Sequence, residues 1–169
     1  MKNQCLDITI RAAKFQDAQM LSRIEEICFP ESEAAVLASF EARLKSFGNC
    51  FLIAEMDGKI IGFINGMVTD RETIADEMFE DASLHKENGM WQSIFGLDVL
   101  PEYRCRGVAA ALMHAFVEMA RAEGRKGCIL TCKERLIPYY SKFGYVNKGV
   151  SESQHGGAVW YDMILEFEK

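Results

Sequence analysis

The sequence predicts an α+β fold, in which a mixed but mostly antiparallel twisted sheet of about seven strands is flanked by about four helices. Three observations predict it. The chain has 169 residues, 49% of them apolar and 26% charged, which is typical of one globular domain covering residues 1–169. Segments with strand and helix periodicity alternate along the chain. An antiparallel first half precedes a strand–helix–strand unit, which favours one sheet covered by helices.

Four segments carry apolar residues at helical spacing and end at residues that stop helices. Pro30 ends the first segment, since the residue before a proline avoids the helical conformation. Ser32 is suited to cap the second helix, and Gly48 stops it. Gly144 closes the last one. The predicted helices cover residues 15–29, 32–47, 108–123 and 136–143.

Seven further segments have the alternation or the β-branched content of strands. Asp57 and Gly58 separate two of them and favour a type I′ turn, so these two strands should form a hairpin. Residues 70–87 hold seven acidic side chains against Arg71 and Lys86, which predicts a long surface loop with one helical turn. The predicted strands cover residues 7–11, 51–56, 59–68, 92–100, 127–132, 145–150 and 159–167.

Charge and cysteine usage exclude several classes of protein. The chain has 19 basic and 25 acidic residues, a net charge of −6, which argues against a general binder of nucleic acid or of anionic membranes. The start of the chain lacks the apolar run of a signal peptide, and no stretch approaches a membrane span. The six cysteines form no Cys-x-x-Cys pair, and the three histidines lack zinc-site spacing. We therefore expect a cytoplasmic protein with reduced cysteines and no metal.

The segment from Arg104 to Ala110 lies where a predicted strand turns into a predicted helix. The first N–H groups of a helix have no partner within it and lie at its positive end, so they can bind an anion. Gly107 and Ala109 keep this turn small, and Arg106 adds positive charge beside Arg104. The pattern is neither a Walker loop nor a dinucleotide fingerprint. It predicts a phosphate site, although an ordinary tight helix start has the same local pattern.

Arg104 to Ala109 fits the Arg/Gln-x-x-Gly-x-Gly/Ala signature of the GCN5-related N-acetyltransferase (GNAT) superfamily. Residues 130–145, with Pro-Tyr-Tyr followed by Phe-Gly-Tyr, resemble motif B of that family, in its arylalkylamine (serotonin-type) branch in particular. Cys28-Phe29-Pro30 is similar to the mobile substrate loop of that branch, and the strand order matches over the whole chain. The resemblance implies transfer of an acetyl group from acetyl-CoA to a primary amine of a small molecule, by direct attack in a ternary complex.

The resemblance also implies where acetyl-CoA would bind. In a GNAT-like sheet the strand that carries Leu97, Asp98 and Val99 splays from its neighbour and pairs with the pantetheine arm. The N–H of Val99 would polarise the thioester carbonyl. Tyr140 matches the tyrosine near the CoA sulfur and would protonate the leaving thiolate, although core packing is its alternative role. The pyrophosphate would be held by Arg104, Cys105, Arg106, Gly107, Val108, Ala109 and Ala110.

The base that deprotonates the amine is not identified by the resemblance. Ser93 and Phe95 occupy the positions of the two histidines that the arylalkylamine branch uses. The open alternatives are a water chain from Ser93 to an acid, a carboxylate such as Glu77 or Asp81, His155, and solvent alone. The substrate-side positions that the resemblance implies are Phe29, Pro30, Ser93, Phe95 and Thr131.

Two other functions stay open beside a small-molecule N-acetyltransferase. One is a protein or peptide N-acetyltransferase, and the other is a CoA-binding sensor without catalysis. The acidic residues 70–87 could attract a cationic amine, or they could be a solvated surface loop. Members of the family often dimerise through helices and edge strands, so a homodimer is also among the expectations. No nucleic-acid or membrane partner is expected.

Overall fold

The computed structural model describes residues 7–168, so Cys5 lies outside the described part of the chain. The strands are β1 (Thr9–Ala12), β2 (Phe51–Met56), β3 (Lys59–Asn65), β4 (Val68–Thr69), β5 (Trp91–Ile94), β6 (Gly96–Val99), β7 (Gly127–Cys132), β8 (Val146–Val150) and β9 (Tyr161–Glu166). The α-helices are α1 (Ala18–Cys28), α2 (Leu37–Phe47), α3 (Glu77–Glu80), α4 (Val108–Ala122) and α5 (Ile137–Ser141).

The strands form a four-stranded sheet in the order β1-β2-β3-β6 and a five-stranded sheet in the order β4-β5-β7-β9-β8. Every strand pair is antiparallel except β5 with β7. This confirms the predicted α+β fold with a mostly antiparallel arrangement. The strand predicted over residues 92–100 is interrupted at Phe95, and its two halves belong to different sheets.

Helices cover both faces of the sheets and divide the core into two clusters. On one face α1 and α2 pack against the first sheet, where the Phe40 ring meets the Phe63 ring edge-on at 5.7 Å. On the other face α4 buries Leu112 and Phe116 against strands of both sheets. The sheets are therefore apolar on both sides, and the buried polar residues between these layers call for a specific explanation.

The hairpin of β2 and β3 forms as predicted. Met56 pairs with Lys59, and the two turn residues have positive φ, 53° at Asp57 and 75° at Gly58. A type I′ turn requires this at both positions, and an Asp-Gly sequence meets the requirement at low cost. The acidic segment 70–87 is a loop as predicted, but it holds two helical turns, α3 and a 3₁₀ turn at Ala82–Leu84, where one was predicted. An ion pair of 3.0 Å between Lys86 and Asp70 ties it down.

The prediction that Ser32 caps the second helix is wrong. The helix begins at Leu37, after Val36 in an extended conformation. The chain first makes a turn in which the N–H groups of residues 33 and 34 both donate to the Pro30 carbonyl. The N–H of Ala35 then donates to the Glu25 carboxylate at 3.0 Å. Glu25 of the preceding helix thus holds the chain just before α2, which itself has no side-chain cap.

Among the described helices, none combines the length and the apolar character needed to cross a membrane.

Candidate active site

The break at Phe95 opens a cleft between two neighbouring strands. β5 pairs with β7 in parallel, whereas β6 pairs with β3. The Phe95 N–H donates to the Asn65 carbonyl at 2.7 Å, which directs the chain to the first sheet. β6 and β7 consequently diverge, and the edge of β6 that faces β7 keeps unpaired backbone groups.

The alternation of the strand identifies which backbone groups face the cleft. The Leu100 N–H donates to the Ile61 carbonyl at 2.9 Å, toward β3. Residues two apart in a strand face the same neighbour, so Asp98 also points its N–H toward β3. The N–H groups of Leu97 and Val99 point the opposite way, into the cleft. Of the three predicted cofactor positions on this strand, the structure therefore directs the backbone of Leu97 and Val99, but not that of Asp98, to the open edge.

Val99 has one backbone group engaged and one available. Its carbonyl accepts the Arg104 Nε–H at 2.9 Å and lies 3.4 Å from the Cys28 thiol. Arg104 thereby ties residues 101–107 to the end of β6, and its guanidinium is partly used by the protein itself. We call these residues the phosphate loop, after the ligand that the sequence predicts for them. The N–H of Val99 points into the cleft and stays the predicted donor to the thioester carbonyl.

The loop after β6 has the geometry of an anion site. It passes through a 3₁₀ turn at Pro101–Tyr103, then through Cys105 with φ 60° and Gly107 with φ 86°, and enters α4. The Ala111 N–H donates to the Gly107 carbonyl at 3.0 Å. The preceding N–H groups, those of Val108, Ala109 and Ala110, have no partner within the helix.

Side chains in this loop do not obstruct the N-terminus of α4. The side chains of Arg104, Cys105 and Arg106 are exposed, and a Cβ atom at Gly107 would meet nothing within 4 Å. The positive end of a 15-residue helix therefore faces open space beside two cationic side chains.

Behind the cleft lies a cavity of about 580 Å³, a usual size for a small-molecule site. Its walls come from α1, α2, the loop between them, α3 with Asp76 before it, β5 to β7, α5 and the loop between β8 and β9. Among the predicted substrate-side residues, the cavity is lined by Phe29, Phe95 and Thr131. Pro30 is exposed outside it, and Ser93 is buried with its hydroxyl donating to the Met67 carbonyl at 2.7 Å.

Tyr140 on α5 lines the same cavity, together with Thr131 and Leu136. Burial is the main cause that raises the pKa of its phenol above 10, and the nearby Cys132 thiol adds to the rise. The phenol therefore stays protonated across the physiological range and is a proton donor, not an acceptor. Tyr139 packs edge-on against it at 5.3 Å but does not line the cavity.

Two loops meet above the cavity and form its roof, which we define as residues 29–36 and 151–160. His155 Nε2 lies 2.8 Å from the Glu33 carbonyl, and Lys133 Nζ lies 2.9 Å from Glu33 Oε1. His155 also stacks on Phe79 at 4.8 Å, and its carbonyl accepts the Trp160 indole N–H at 2.8 Å. Charged and aromatic contacts thus join the two loops of the roof to each other, to the loop after β7 and to α3.

The candidate bases from the sequence differ in their relation to this cavity. His155 lines it, with Nε2 occupied at Glu33. Glu77 and Asp81 are exposed and do not line it, and Asp81 accepts the Ser83 N–H at 3.0 Å. Ser93 has no contact with it.

The sequence reasoning missed a buried polar cluster at the back of the cavity. We call the side chains of Glu25, Arg43, Asn65 and Asp98 the polar cluster; they are 6%, 4%, 1% and 0% exposed. Glu25 and Arg43 line the cavity. A signal was present, because Glu25 lies four residues after Leu21 and Arg43 three after Phe40, both on apolar helix faces.

Comparison with known proteins agrees with this geometry. The model of the acetyltransferase (GNAT) family matches residues 18–145, well over half of the chain. A serotonin N-acetyltransferase of Mesocricetus auratus is 26% identical over 90 residues, covering 53% of this chain and 42% of that protein. An N-alpha-acetyltransferase of Saccharolobus solfataricus is 26% identical over 114 residues, covering 68% of this chain and 63% of that protein. The match thus spans less than two thirds of either relative.

Among solved structures, the GNAT-like decarboxylase GphF in complex with isobutyryl-CoA superimposes with a TM-score of 0.81. It is 18% identical, and the match covers 94% of this chain and 98% of that one. At this identity the likeness concerns the fold alone. The family match covers the diverging strands, the loop before α4 and the tyrosine of α5, so the chain belongs to the acetyltransferase (GNAT) family.

Proposed function

We propose that this protein transfers the acetyl group of acetyl-CoA to a primary amine of a small molecule, by direct attack in a ternary complex. Family membership and the cleft support acetyl-CoA as the acyl donor. The unpaired edge of β6 suits the pantetheine arm, and the start of α4 with Arg106 suits the pyrophosphate. The Val99 N–H lies where it can donate to the thioester carbonyl, which gains negative charge during attack.

Tyr140 is the proposed acid for the leaving thiolate. A free thiol has a pKa of about 8.5, and the buried phenol is raised above 10, so it holds a proton when the thiolate forms. The nitrogen–carbon bond forms as the carbon–sulfur bond breaks. Tyr140 donates its proton to sulfur and regains one from the acetylated nitrogen, which leaves an amide and free CoA.

The roof is the reason for proposing a small-molecule acceptor and not a peptide. A peptide acceptor needs an open groove, whereas the contact of Glu33 with His155 joins the two loops over the cavity, and its ion pair with Lys133 ties them to the loop after β7. The walls beneath combine acidic and aromatic side chains, which suits a cationic amine with an apolar arm. The cavity is lined by Glu25, Phe29, Glu33, Asp76, Phe79, Glu80, Phe95 and Trp160, among others.

The test is CoA release from acetyl-CoA over a panel of arylalkylamines, polyamines, amino acids and basic peptides. Tyr140→Phe should lower kcat for the best acceptor by about 10²-fold or more, because the thiolate loses its acid, while acetyl-CoA binding stays near wild type. Tyr139→Phe is the matched control and should keep full activity.

The other outcomes separate the alternatives. Turnover of peptides in preference to every small amine would make the protein a peptide N-acetyltransferase. Acetyl-CoA binding without any turnover would favour the sensor. Full activity of Tyr140→Phe would keep the enzyme and remove the role of this tyrosine.

A further inference from the structure

The polar cluster holds more carboxyl groups than its positive charge can balance. Glu25 and Asp98 approach each other from α1 and β6, and Arg43 from α2 is the cation beside them. The Cys28 thiol and the Tyr140 phenol are further titratable groups near Asp98. Burial lowers the pKa of Arg43 to about 10, so it still carries its charge at neutral pH. Two buried carboxylates against one guanidinium would leave one negative charge uncompensated, and the carboxyl pair therefore keeps one proton.

The hydrogen bonds indicate which carboxyl holds that proton. Glu25 Oε2 accepts the Ala35 N–H at 3.0 Å. Neither oxygen of Asp98 receives a hydrogen bond from a donor in residues 7–168. Burial, followed by the charge of Glu25, raises the pKa of Asp98 well above its usual value. Asp98 is thus the partner that holds the proton.

Gly96 lies at the cavity wall beside this pair. A Cβ atom at Gly96 would lie 3.0 Å from Asp98 Oδ1 and 3.6 Å from both Glu25 Oε1 and Asn65 Nδ2. Glu25 also lines the cavity, and its Oε1 is buried with no hydrogen-bond partner in the described chain. An unpartnered carboxyl oxygen therefore lies just behind the cavity wall, one residue away from the cleft edge at Leu97.

We propose that Glu25 is the proton acceptor for the amine, with Asp98 and Arg43 as positioning residues; this rests on the proposed function. The ammonium group of the acceptor gives one proton to Glu25 Oε1, and the neutral nitrogen then attacks the thioester carbon. Glu25 returns that proton to solvent through the cavity. The second proton of the nitrogen reaches the CoA sulfur by way of Tyr140, so the overall reaction releases one proton. This role fills the gap that Ser93 and Phe95 leave at the positions of the family histidines.

The test compares Glu25→Gln with wild type on two acceptors: the best alkylamine of the panel and its β-fluorinated analogue, whose amino group is far less basic. At pH 7 an alkylamine with a pKa of about 10.4 is almost wholly protonated. The variant should therefore lose about 10²- to 10⁴-fold in kcat/KM with the alkylamine. The loss should shrink at least about tenfold with the fluorinated analogue, and also as pH rises toward 10.

Acetyl-CoA affinity should not change. Glu26→Gln, an exposed neighbour with the same change of charge, is the control.

A merely structural role for Glu25 predicts a different pattern. An equal loss with both acceptors and at every pH would mean that Glu25 only holds the Ala35 N–H, and would overturn the proposal. Wild-type activity in Glu25→Gln would overturn it as well, while the proposed function would stand. No turnover by the wild type with any acceptor would overturn the proposed function and the base together.

A second variant covers the case in which Glu25→Gln does not fold. Gly96→Ala retains every ionisable group and adds a methyl group 3.6 Å from Glu25 Oε1 at the cavity wall. Its loss of kcat/KM should also be larger with the alkylamine than with the fluorinated analogue. An equal loss with both acceptors would contradict the proposal.

Discussion

At the residue scale, burial keeps two acids of this site protonated. Asp98 and Tyr140 both have a raised pKa, and desolvation is the largest cause in each case. Their neighbours differ, because Asp98 faces the carboxyl of Glu25 whereas Tyr140 faces the Cys132 thiol. The fold therefore sets a neutral carboxyl behind the cavity and a neutral phenol inside it.

The raised pKa of Asp98 predicts how stability varies with pH. The folded protein retains a proton that the unfolded chain releases near pH 4, so the free energy of unfolding falls as pH rises from about 4 to the raised pKa. Asp98→Asn removes this dependence. The measurement is urea unfolding at pH 4, 6 and 8. The free energy of unfolding of the variant minus that of wild type should increase with pH, by at most about 1.4 kcal/mol per pH unit. Equal pH dependence in both proteins would show that Asp98 is ionised in the fold.

At the element scale, the phosphate loop depends on backbone conformation more than on side chains. Gly107 has φ 86° at the N-cap of α4, where any other residue is strained. Gly107→Ala should cost about 1–2 kcal/mol of stability through this strain. It should also weaken acetyl-CoA binding about tenfold or more, because it turns the first N–H groups and adds a methyl group at the anion site.

Gly124 just beyond the other end of α4 provides the matched control for this prediction. It has φ 78° and equally open space around its Cβ position. Gly124→Ala should therefore cost similar stability while acetyl-CoA affinity, measured by calorimetry, stays unchanged. Equal affinity losses in the two variants would assign the effect to general strain.

Element boundaries show where sequence patterns suffice. The hairpin and α4 were predictable because their signals, Asp57-Gly58 and the apolar stripe after Gly107, act over a few residues. The break at Phe95 was not visible, since the apolar run from 92 to 100 continues through it. That break depends on strand pairing, because the residues before Phe95 pair with β7 and the residues after it pair with β3. The start of α2 was also missed, because residues 30–35 first form a turn whose Ala35 N–H is held by the carboxylate of Glu25 from another helix.

At the scale of the whole molecule, Glu33 connects elements that are far apart in the sequence. It joins the loop after α1 to Lys133 after β7 and to His155 between β8 and β9. Glu33→Ala removes a charge-assisted bond, worth about 1.5–3 kcal/mol, and should loosen the roof. We expect KM for the small amine to rise about tenfold while kcat changes little, and basic peptides to become relatively better acceptors.

Glu31→Ala is the control for the roof, because Glu31 is exposed in the same loop. Steady-state kinetics with the two acceptor classes measures the shift. An unchanged ratio of kcat/KM between small amine and peptide in Glu33→Ala would contradict the size selection proposed for the roof.

The sequence by itself determined the α+β fold and the family, and it predicted the residues of the phosphate loop. These follow from local patterns, namely hydrophobic periodicity, turn residues and a short motif at a helix start, which work wherever the rest of the chain lies. The tertiary structure alone decided that β6 leaves β7, that Glu33 meets Lys133 and His155, and that Glu25, Arg43 and Asp98 meet beside Gly96. Each depends on side chains from distant elements sharing one dry space, and their ionisation states follow from that proximity and burial.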